Sequence, residues 1–513
     1  MTIETNAGNR RNTPGASDAP LDWARSREMN GIEALMWRAE SDPRMRSTIC
    51  SLALLDRMPD WDRFVDACDW GSRMAPRFRQ KVVEPAFGIG TPVWVNDPDF
   101  DLHYHVRRIR LTRGGGWRAC FEAAKQVAMT PFDRARSPWE AVLMEGLPEG
   151  RAALLVKLHH STTDGMGGFQ LFSKLHSRTR EHNPDKPQPE APTPEWISPT
   201  DLLFEQLSRD ARSAPEGLRK TAKTLMSAIE SPGATMREAM RFVESLGRVV
   251  ADPDVEGSPL LYKRSLAWHF MALDIEFSDL RAAAKAAGGT INDVYLASLL
   301  GAFRMYHAKM GYAIQQMPIA IPISVRREDD DEGGNKFAGA RFAAPVGIAD
   351  PRARIKAVGE LVRSARAEPA IEGMSFLAPA LARLSGPLLG SLAGSLTKAN
   401  DLQASNVPGF REELYIAGAR IERLYGFGPL PGCATMITLV THGGTCCIAA
   451  NVDRAAITDP ELFGQCLEDG FAEVLGICEG FAPPLRRVDV KMGEGRGRAD
   501  PDPSTDQAPE TSE

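Results

Sequence analysis

The stretch that decides the fold runs Leu154-Leu155-Val156-Lys157-Leu158-His159-His160-Ser161-Thr162-Thr163-Asp164-Gly165-Met166-Gly167-Gly168. It begins as a short apolar run, which is typical of a largely buried β-strand. Two adjacent histidines end that run, and a polar turn with Asp164 and several glycines precedes a helical pattern at Phe169. Because successive side chains on a strand point to opposite faces, we expect His159 and His160 to occupy different environments, with one of them facing a cleft.

The length and composition of the chain are those of a globular protein with more than one domain. A chain of 513 residues exceeds one small core, and two domains of roughly 150–200 residues each are the natural expectation. Hydrophobic residues make up 43% and charged residues 25%, and the net charge of −6 gives no indication of a nucleic-acid partner. The eight cysteines form no C-x-x-C pair, which predicts a reducing compartment and no metal site.

Neither a signal peptide nor a membrane-spanning helix is predicted. The first twenty residues are polar and lack an apolar core, and no run of about 18 apolar residues occurs. We therefore expect a cytoplasmic protein. Residues 374–396 are small, apolar and helical in tendency, and they are either packing helices of the core or a surface that touches lipid.

Composition shifts divide the chain into segments. The stretch from 179 to 200 is rich in proline, which predicts a linker, and helical patterns follow it to about residue 250. We predict a disordered tail at 1–20, an N-terminal domain at 21–178, a proline-rich linker and helical connector at 179–255, a C-terminal domain at 256–492 and a disordered tail at 493–513.

Other polar or aromatic motifs stand at the ends of predicted elements. Asn292 and Asp293 lie in the first turn of a predicted helix, where capping alone explains them. A tight connection with a buried Trp139 likewise explains the motif Pro131–Glu140 without a ligand. His103 and His105 are expected on one face of a strand. Two further motifs are Pro322–Arg326, which ends a predicted strand, and Asn406–Gly409.

In chain order, these motifs resemble the bacterial wax ester synthase/diacylglycerol acyltransferase family of the chloramphenicol acetyltransferase-like superfamily. The His-His-x-x-x-Asp-Gly pattern at 159–165 is shared by the superfamily, and the other motifs indicate this branch. Ser137-Pro138 and Phe410 depart from the family pattern, which leaves the acyl-chain and alcohol preferences open. The resemblance implies an α/β fold of two chloramphenicol-acetyltransferase-like domains, a central active-site channel and a helical connecting segment.

The same resemblance implies an acyl-CoA-dependent O-acyltransferase. The products would be triacylglycerol from diacylglycerol, wax esters from long-chain alcohols, or both. Acyl-CoA would be a co-substrate, with no other cofactor and no metal, and the protein would associate peripherally with a membrane or lipid-droplet surface. Two alternatives stay open: a condensation-type acyltransferase that uses carrier-protein-bound acyl groups, and a non-catalytic lipid-binding homologue.

The resemblance also assigns roles within the motif. An alcohol is a poor nucleophile at neutral pH, and a histidine with a pKa near ~6.5 can take its proton and return it to the leaving thiolate. His160 would be this general base, His159 would support it, and Asp164 would brace the loop beside Gly165. The chain has no Gly-x-Ser-x-Gly motif, which would indicate a serine nucleophile, so we expect direct transfer of the acyl group.

The other expected site residues would contact substrate. A backbone N–H between Gly165 and Gly168 is a candidate oxyanion donor. Arg326 is also the candidate partner of Asp164. The expected substrate-binding residues are Asn292, Asp293, Trp139 and Arg326.

Overall fold

The computed structural model describes residues 20–112, 114, 116–209, 212, 255–324, 335, 337–366, 400–478, 485, 487 and 488. Several features predicted from the sequence lie outside these residues. They are most of the two tails, most of the helical connector, the apolar segment 374–396 and Arg326.

The first half of the chain alternates helices with short strands. Its helices are α1 (Gly31–Ala39), α2 (Trp61–Met74), α3 (Leu102–His105), α4 (Gly116–Met129) and α5 (Gly165–Leu175). Its strands are β1 (Thr48–Leu55), β2 (Gln80–Val83), β3 (Val93–Asn96), β4 (Val106–Arg110), β5 (Trp139–Glu145) and β6 (Ala152–His159). The expectation of a strand at His103 and His105 is wrong, because both residues lie in the single turn α3.

The second half has the same α/β character. Its helices are α6 (Phe277–Ala287), α7 (Ile291–Lys309), α8 (Pro351–Arg366) and α9 (Pro460–Leu475). Its strands are β7 (Trp268–Glu276), β8 (Met317–Ser324), β9 (Phe337–Ala344), β10 (Leu402–Phe410), β11 (Tyr415–Ile416), β12 (Ala419–Phe427), β13 (Thr435–His442) and β14 (Thr445–Asp453). No helix of the described ranges is long and apolar enough to cross a membrane.

Two six-stranded sheets form the frame of the molecule. The first has the order β11-β12-β1-β6-β5-β4, and the second has the order β7-β14-β13-β10-β8-β9. β6, which carries the histidines, lies between β1 and β5 and pairs with both in the antiparallel sense. β11 and β12 come from the second half of the chain but complete the first sheet, so the second half contributes two strands to the sheet of the first.

Apolar packing joins the two sheets. One buried cluster lies within the second half of the chain, and the two other large clusters each combine residues of both halves. In one of these mixed clusters, the rings of Phe270 on β7 and Phe427 on β12 stack with centroids 3.9 Å apart. Close apolar packing therefore joins the two sheets directly.

Local sequence chemistry explains several element boundaries. α6 ends at Gly288, whose φ of 66° is the left-handed conformation that glycine adopts without strain. Gly443 and Gly444 both have positive φ and form the tight turn between β13 and β14. The proline-rich linker lies on the first half, where the indole nitrogen of Trp70 donates to the carbonyl of Pro187 at 3.0 Å.

Candidate active site

A cavity of about 160 Å³ lies between the two sheets, beside the end of β6. Strands of both sheets and the start of α5 form its wall, which is mostly apolar. The lining residues are Ile49, Cys50, Ser51, Val156, Leu158, His160, Thr163, Asp164, Gly165, Gly168, Phe169, Phe172, Ser405, Val407, Pro408, Phe410, Leu424, Gly426, Phe427, Gly428, Pro429, Met436, Thr438 and Val440.

The histidines of the motif occupy different environments, as strand alternation predicts. Val156, Leu158 and His160 line the cavity in alternate positions, whereas Lys157 and His159 do not. The His160 backbone N–H donates to the carbonyl of Ser47 at 2.7 Å, which fixes the end of β6 against the start of β1.

The ring of His160 is oriented by Asn335. Its Nδ1 lies 2.9 Å from Asn335 Oδ1, and Asn335 Nδ2 donates to the backbone carbonyl of His160 at 2.7 Å. Since an amide oxygen only accepts, Nδ1 carries the hydrogen and Nε2 keeps its lone pair in the neutral ring. Burial lowers the pKa of His160, although the negative charge of Asp164 partly offsets this effect.

His159 is fully buried behind the cavity wall. Its Nδ1 accepts a hydrogen bond from the Ser161 backbone N–H at 3.1 Å, and its Nε2 lies 3.4 Å from a carboxylate oxygen of Glu40. Burial alone would raise the pKa of Glu40, but the close imidazole of His159, the Ser47 backbone N–H and the charge of Arg134 together lower it. Trp37 packs edge-on against the imidazole at 5.1 Å. These contacts hold the imidazole behind the strand, and the supporting role of His159 stays a prediction.

Asp164 is the N-cap of α5. Its Oδ1 accepts from the Gly167 backbone N–H at 2.7 Å, and its carbonyl accepts from the Gly168 N–H at 2.8 Å. The carboxylate satisfies a backbone donor of the first helical turn and places negative charge at its positive end. The predicted partner Arg326 lies outside the described residues.

We expect Asp164→Ala to destabilise the fold by about 1 kcal/mol or more, because the cap is lost, and to lower activity because the loop beside His160 loosens. Asp459→Ala is the matched control, since Asp459 caps α9 through the Leu462 N–H at 3.0 Å, outside the cavity wall. Chemical denaturation and turnover measure the two effects. Equal losses of stability with equal turnover in both variants would contradict the link between this cap and the site.

The motif Asn406–Gly409 on β10 lies against the end of the His-His-x-x-x-Asp-Gly motif at the start of α5. A Cβ added at Gly165 would lie 3.0 Å from Val407 Cγ2, so the close approach of β10 to the start of α5 favours glycine there. At Gly409, a Cβ would lie 1.3 Å from the carbonyl oxygen of Thr441, which leaves no room for a side chain. The motif at 406–409 thus fits β10 closely into the site, and Phe410 follows it in the cavity wall.

Trp139 lies outside this cavity wall. Its indole nitrogen donates to the carbonyl of Phe78 at 2.7 Å, and its ring stacks on His105 with centroids 4.7 Å apart. These contacts anchor the start of β5 within the first half of the chain. Its substrate-binding role stays a prediction.

Asn292 and Asp293 begin α7. Asp293 and Thr290 form a reciprocal capping box, in which the Asp293 N–H donates to Thr290 Oγ1 at 3.2 Å and the Thr290 N–H donates to Asp293 Oδ2 at 2.8 Å. Neither Asn292 nor Asp293 is part of the described cavity wall. Capping accounts for Asp293, and a substrate contact of Asn292 stays a prediction.

The sequence motifs do not identify three residues of the site, namely Asn335, Cys50 and Phe169. Asn335 follows a glycine in an otherwise unremarkable stretch, and only the fold brings it to His160. Cys50 lines the cavity from β1, and burial raises the pKa of its thiol to about 12. Phe169 belongs to the helical pattern after the motif. That pattern predicts that one face of the helix is buried, but it does not predict that Phe169 lines this cavity. Among the described residues, no cluster of His, Cys, Asp or Glu could hold a metal ion.

Comparison with known proteins agrees with this geometry. Residues 29–295 match the model of the wax ester synthase/diacylglycerol acyltransferase catalytic domain, and residues 333–474 match the C-terminal domain of the same family. A Mycobacterium tuberculosis H37Rv protein with the provisional name diacylglycerol O-acyltransferase is 41% identical over 462 residues, covering 89% of this chain and 94% of its own.

Solved structures show the fold. The wax ester synthase/diacylglycerol acyltransferase of Marinobacter aquaeolei VT8 superposes with a TM-score of 0.60 at 21% identity, covering 88% of this chain and 99% of its own. The first condensation domain of the calcium-dependent antibiotic synthetase gives a TM-score of 0.56 at 14% identity, covering 90% of this chain and 99% of its own. The predicted α/β class with two chloramphenicol-acetyltransferase-like domains is confirmed. The chain is an acyltransferase of the wax ester synthase/diacylglycerol acyltransferase family.

Proposed function

We propose that the protein transfers a fatty acyl group from acyl-CoA to diacylglycerol and, less efficiently, to long-chain alcohols, with His160 as the general base. The orientation of His160 carries this proposal. Its ring lines an apolar cavity between the two sheets, and Nδ1 is engaged by Asn335, so Nε2 is the nitrogen that can accept a proton. The name of the 41% identical relative supports diacylglycerol as the preferred acceptor.

The proposed reaction is a direct transfer. His160 Nε2 takes the proton of the acceptor hydroxyl while the hydroxyl oxygen attacks the thioester carbonyl carbon, and a C–O bond forms. The tetrahedral intermediate then breaks its C–S bond, and the departing CoA thiolate receives the proton from Nε2. A neutral base is required at the start, and the burial that lowers the pKa of His160 favours that form.

The structure narrows the choice of oxyanion donor. The sequence predicts an oxyanion donor among the backbone N–H groups between Gly165 and Gly168. Of these, the N–H groups of Gly167 and Gly168 already donate to Asp164. A donor from this turn would therefore have to be Gly165 or Met166, at the positive end of α5.

An assay with separate acceptors tests the proposed activity. Purified protein is incubated with palmitoyl-CoA and either diacylglycerol or hexadecanol, and the products are identified by chromatography. We expect triacylglycerol and wax ester, with faster formation of triacylglycerol. Turnover with carrier-bound acyl groups alone would favour the condensation-type alternative. Lipid binding without turnover of any donor would favour the non-catalytic homologue.

The aromatic residue Phe410 in the cavity wall is the basis of a prediction on acyl-chain selectivity. Phe410 stacks on Phe169 with centroids 4.6 Å apart, and both line the cavity. Phe410 also borders a smaller void of about 10 Å³, lined in part by His176 and Leu414. Phe410 is therefore a shared wall residue of two neighbouring apolar spaces, which one extended acyl chain would occupy together.

We expect Phe410→Leu to raise the ratio of turnover with C20 acyl-CoA to turnover with C12 acyl-CoA, because the smaller side chain lengthens the apolar path. Phe463→Leu is the control, since Phe463 is fully buried in the core of the second half and the ratio should stay unchanged. Rates across a C8–C20 acyl-CoA series give the ratio. The same chain-length profile in both variants would show that Phe410 does not limit the acyl path.

We also propose that the acyltransferase works at a lipid surface, because both candidate acceptors are lipids. Peripheral contact with a membrane or lipid droplet is consistent with the finding that no described helix is suited to span a bilayer. The segment predicted to make this contact, residues 374–396, lies outside the described residues. Flotation of the protein with diacylglycerol-containing vesicles tests the association.

A further inference from the structure

Asn335 lies 175 positions from His160 in the sequence but makes two hydrogen bonds with it. One bond joins Asn335 Oδ1 to the ring Nδ1, and the other runs from Asn335 Nδ2 to the His160 carbonyl. The second bond decides how the amide is oriented, because a carbonyl needs a donor and only the amide nitrogen supplies one. The first bond then requires hydrogen on Nδ1, so a single side chain selects the tautomer.

Asn335 is itself held by the start of α1. Its backbone N–H donates to Glu33 Oε1 at 3.1 Å, and its carbonyl accepts from Asn30 Nδ2 at 3.1 Å. Asn30 and Glu33 also form the capping box of α1, in which the Asn30 N–H donates to Glu33 Oε2 at 3.0 Å. Asn335 is only 3% exposed. A helix cap thus fixes the backbone of the residue that orients the proposed base.

We infer that Asn335 is a positioning residue of the acyl transfer, holding His160 in the tautomer whose Nε2 accepts the proton of the acceptor hydroxyl. This inference rests on the proposed role of His160. In solution, neutral imidazole exchanges between two tautomers and rotates freely. A buried acceptor at Nδ1 removes both freedoms and leaves one reactive geometry.

The charges around this pair determine what a pH profile can report. Asp164 and His159 act on the charge of His160, the first raising its pKa and the second lowering it. Glu33 faces Asn335 from α1, and Arg77 acts on Glu33. Asn335 is uncharged, so it orients the ring without adding to these fields.

Two substitutions separate positioning from simple packing. Asn335→Ala removes the acceptor, and we expect kcat to fall about 10-fold or more with little change in KM. Asn335→Asp keeps an acceptor at Nδ1 and adds a negative charge that stabilises the imidazolium ion. The pKa of His160 therefore rises, and the acid limb of kcat/KM moves to higher pH by about one unit or more.

Gln206 provides a matched control. Like Asn335, it is a buried amide whose side chain makes two hydrogen bonds to one residue: its Oε1 accepts from the Thr91 N–H at 2.8 Å, and its Nε2 donates to the Thr91 carbonyl at 2.7 Å. Gln206 does not line the cavity that holds His160. Gln206→Glu should therefore leave the acid limb in place, whatever it does to stability.

The decisive measurement is the pH profile of kcat/KM for palmitoyl-CoA and diacylglycerol, with thermal unfolding of each variant. A shifted acid limb in Asn335→Asp, but not in Gln206→Glu, supports the inference. An unmoved limb in a folded Asn335→Asp variant, with near-normal kcat in Asn335→Ala, overturns it. His160→Ala is run alongside: its near-normal turnover would refute the proposed function itself, whereas its inactivity with an unmoved Asn335→Asp limb refutes only the role of Asn335.

Discussion

Replacing His160 with alanine is expected to reduce kcat by roughly 10²–10⁴-fold, the usual contribution of a general base. The side chain lies in a cavity wall, and its loss removes the proton acceptor while the core packing remains. Acyl-CoA binding and thermal stability should therefore stay close to wild type. Steady-state kinetics, acyl-CoA titration and thermal unfolding measure the three quantities.

His159→Ala is the matched comparison, because it removes the neighbouring imidazole from the opposite face of the strand. His159 is fully buried beside Glu40 and Trp37, so its loss should cost stability more than chemistry. We expect its turnover, corrected for the folded fraction, to exceed that of His160→Ala. A reversed order would move the base assignment to His159.

The largest effect on stability is expected at the buried ion pair behind the motif strand. Lys157 is fully buried, and its Nζ contacts Glu140 Oε1 at 3.0 Å, donates to the Thr130 carbonyl at 2.8 Å and lies 4.1 Å from the centre of the Phe132 ring. Burial lowers the pKa of Lys157 to about 8. Removing the carboxylate leaves an ammonium group without its counter-ion in this environment.

We therefore expect Glu140→Ala to lower the free energy of unfolding by about 3–5 kcal/mol. The double variant Lys157→Met/Glu140→Leu should recover most of this loss, because an apolar pair of similar size has no charge to bury. Glu122→Ala is the control at a partly exposed pair with Lys125, where the loss should stay below about 1 kcal/mol. Denaturant unfolding gives all three values. Similar losses at the two glutamates would rule out a special role for the buried pair.

The predictions from the sequence succeeded where local rules decide the structure. Strand alternation separates His159 from His160, and capping chemistry places Asp293 at the start of its helix. Asp164 is the N-cap of α5, which is also a local feature, whereas its role in bracing the loop stays a prediction. These features depend on neighbours a few residues apart, so the spacing of residue types is sufficient to predict them.

Other features depend on contacts between distant segments. Nothing in the sequence near residues 415–427 indicates that they complete the sheet of the first half. Asn335 bonds to His160 while its own backbone is held by Glu33 of α1, and β10 passes close to the Thr441 carbonyl at Gly409, where a side chain would collide. Such contacts are set by tertiary packing, which local periodicity does not encode.

The most direct test of direct transfer is whether the enzyme ever carries the acyl group. Cys50 is the cysteine in the described cavity wall, and the burial that raises the pKa of its thiol to about 12 disfavours the thiolate that a covalent route would need. The protein is incubated with labelled palmitoyl-CoA without an acceptor, then denatured, and its intact mass is measured. We predict an unmodified mass for the wild type, with full turnover in Cys50→Ala. A stoichiometric palmitoyl adduct that Cys50→Ala abolishes, together with its activity, would contradict direct transfer with His160 as the base.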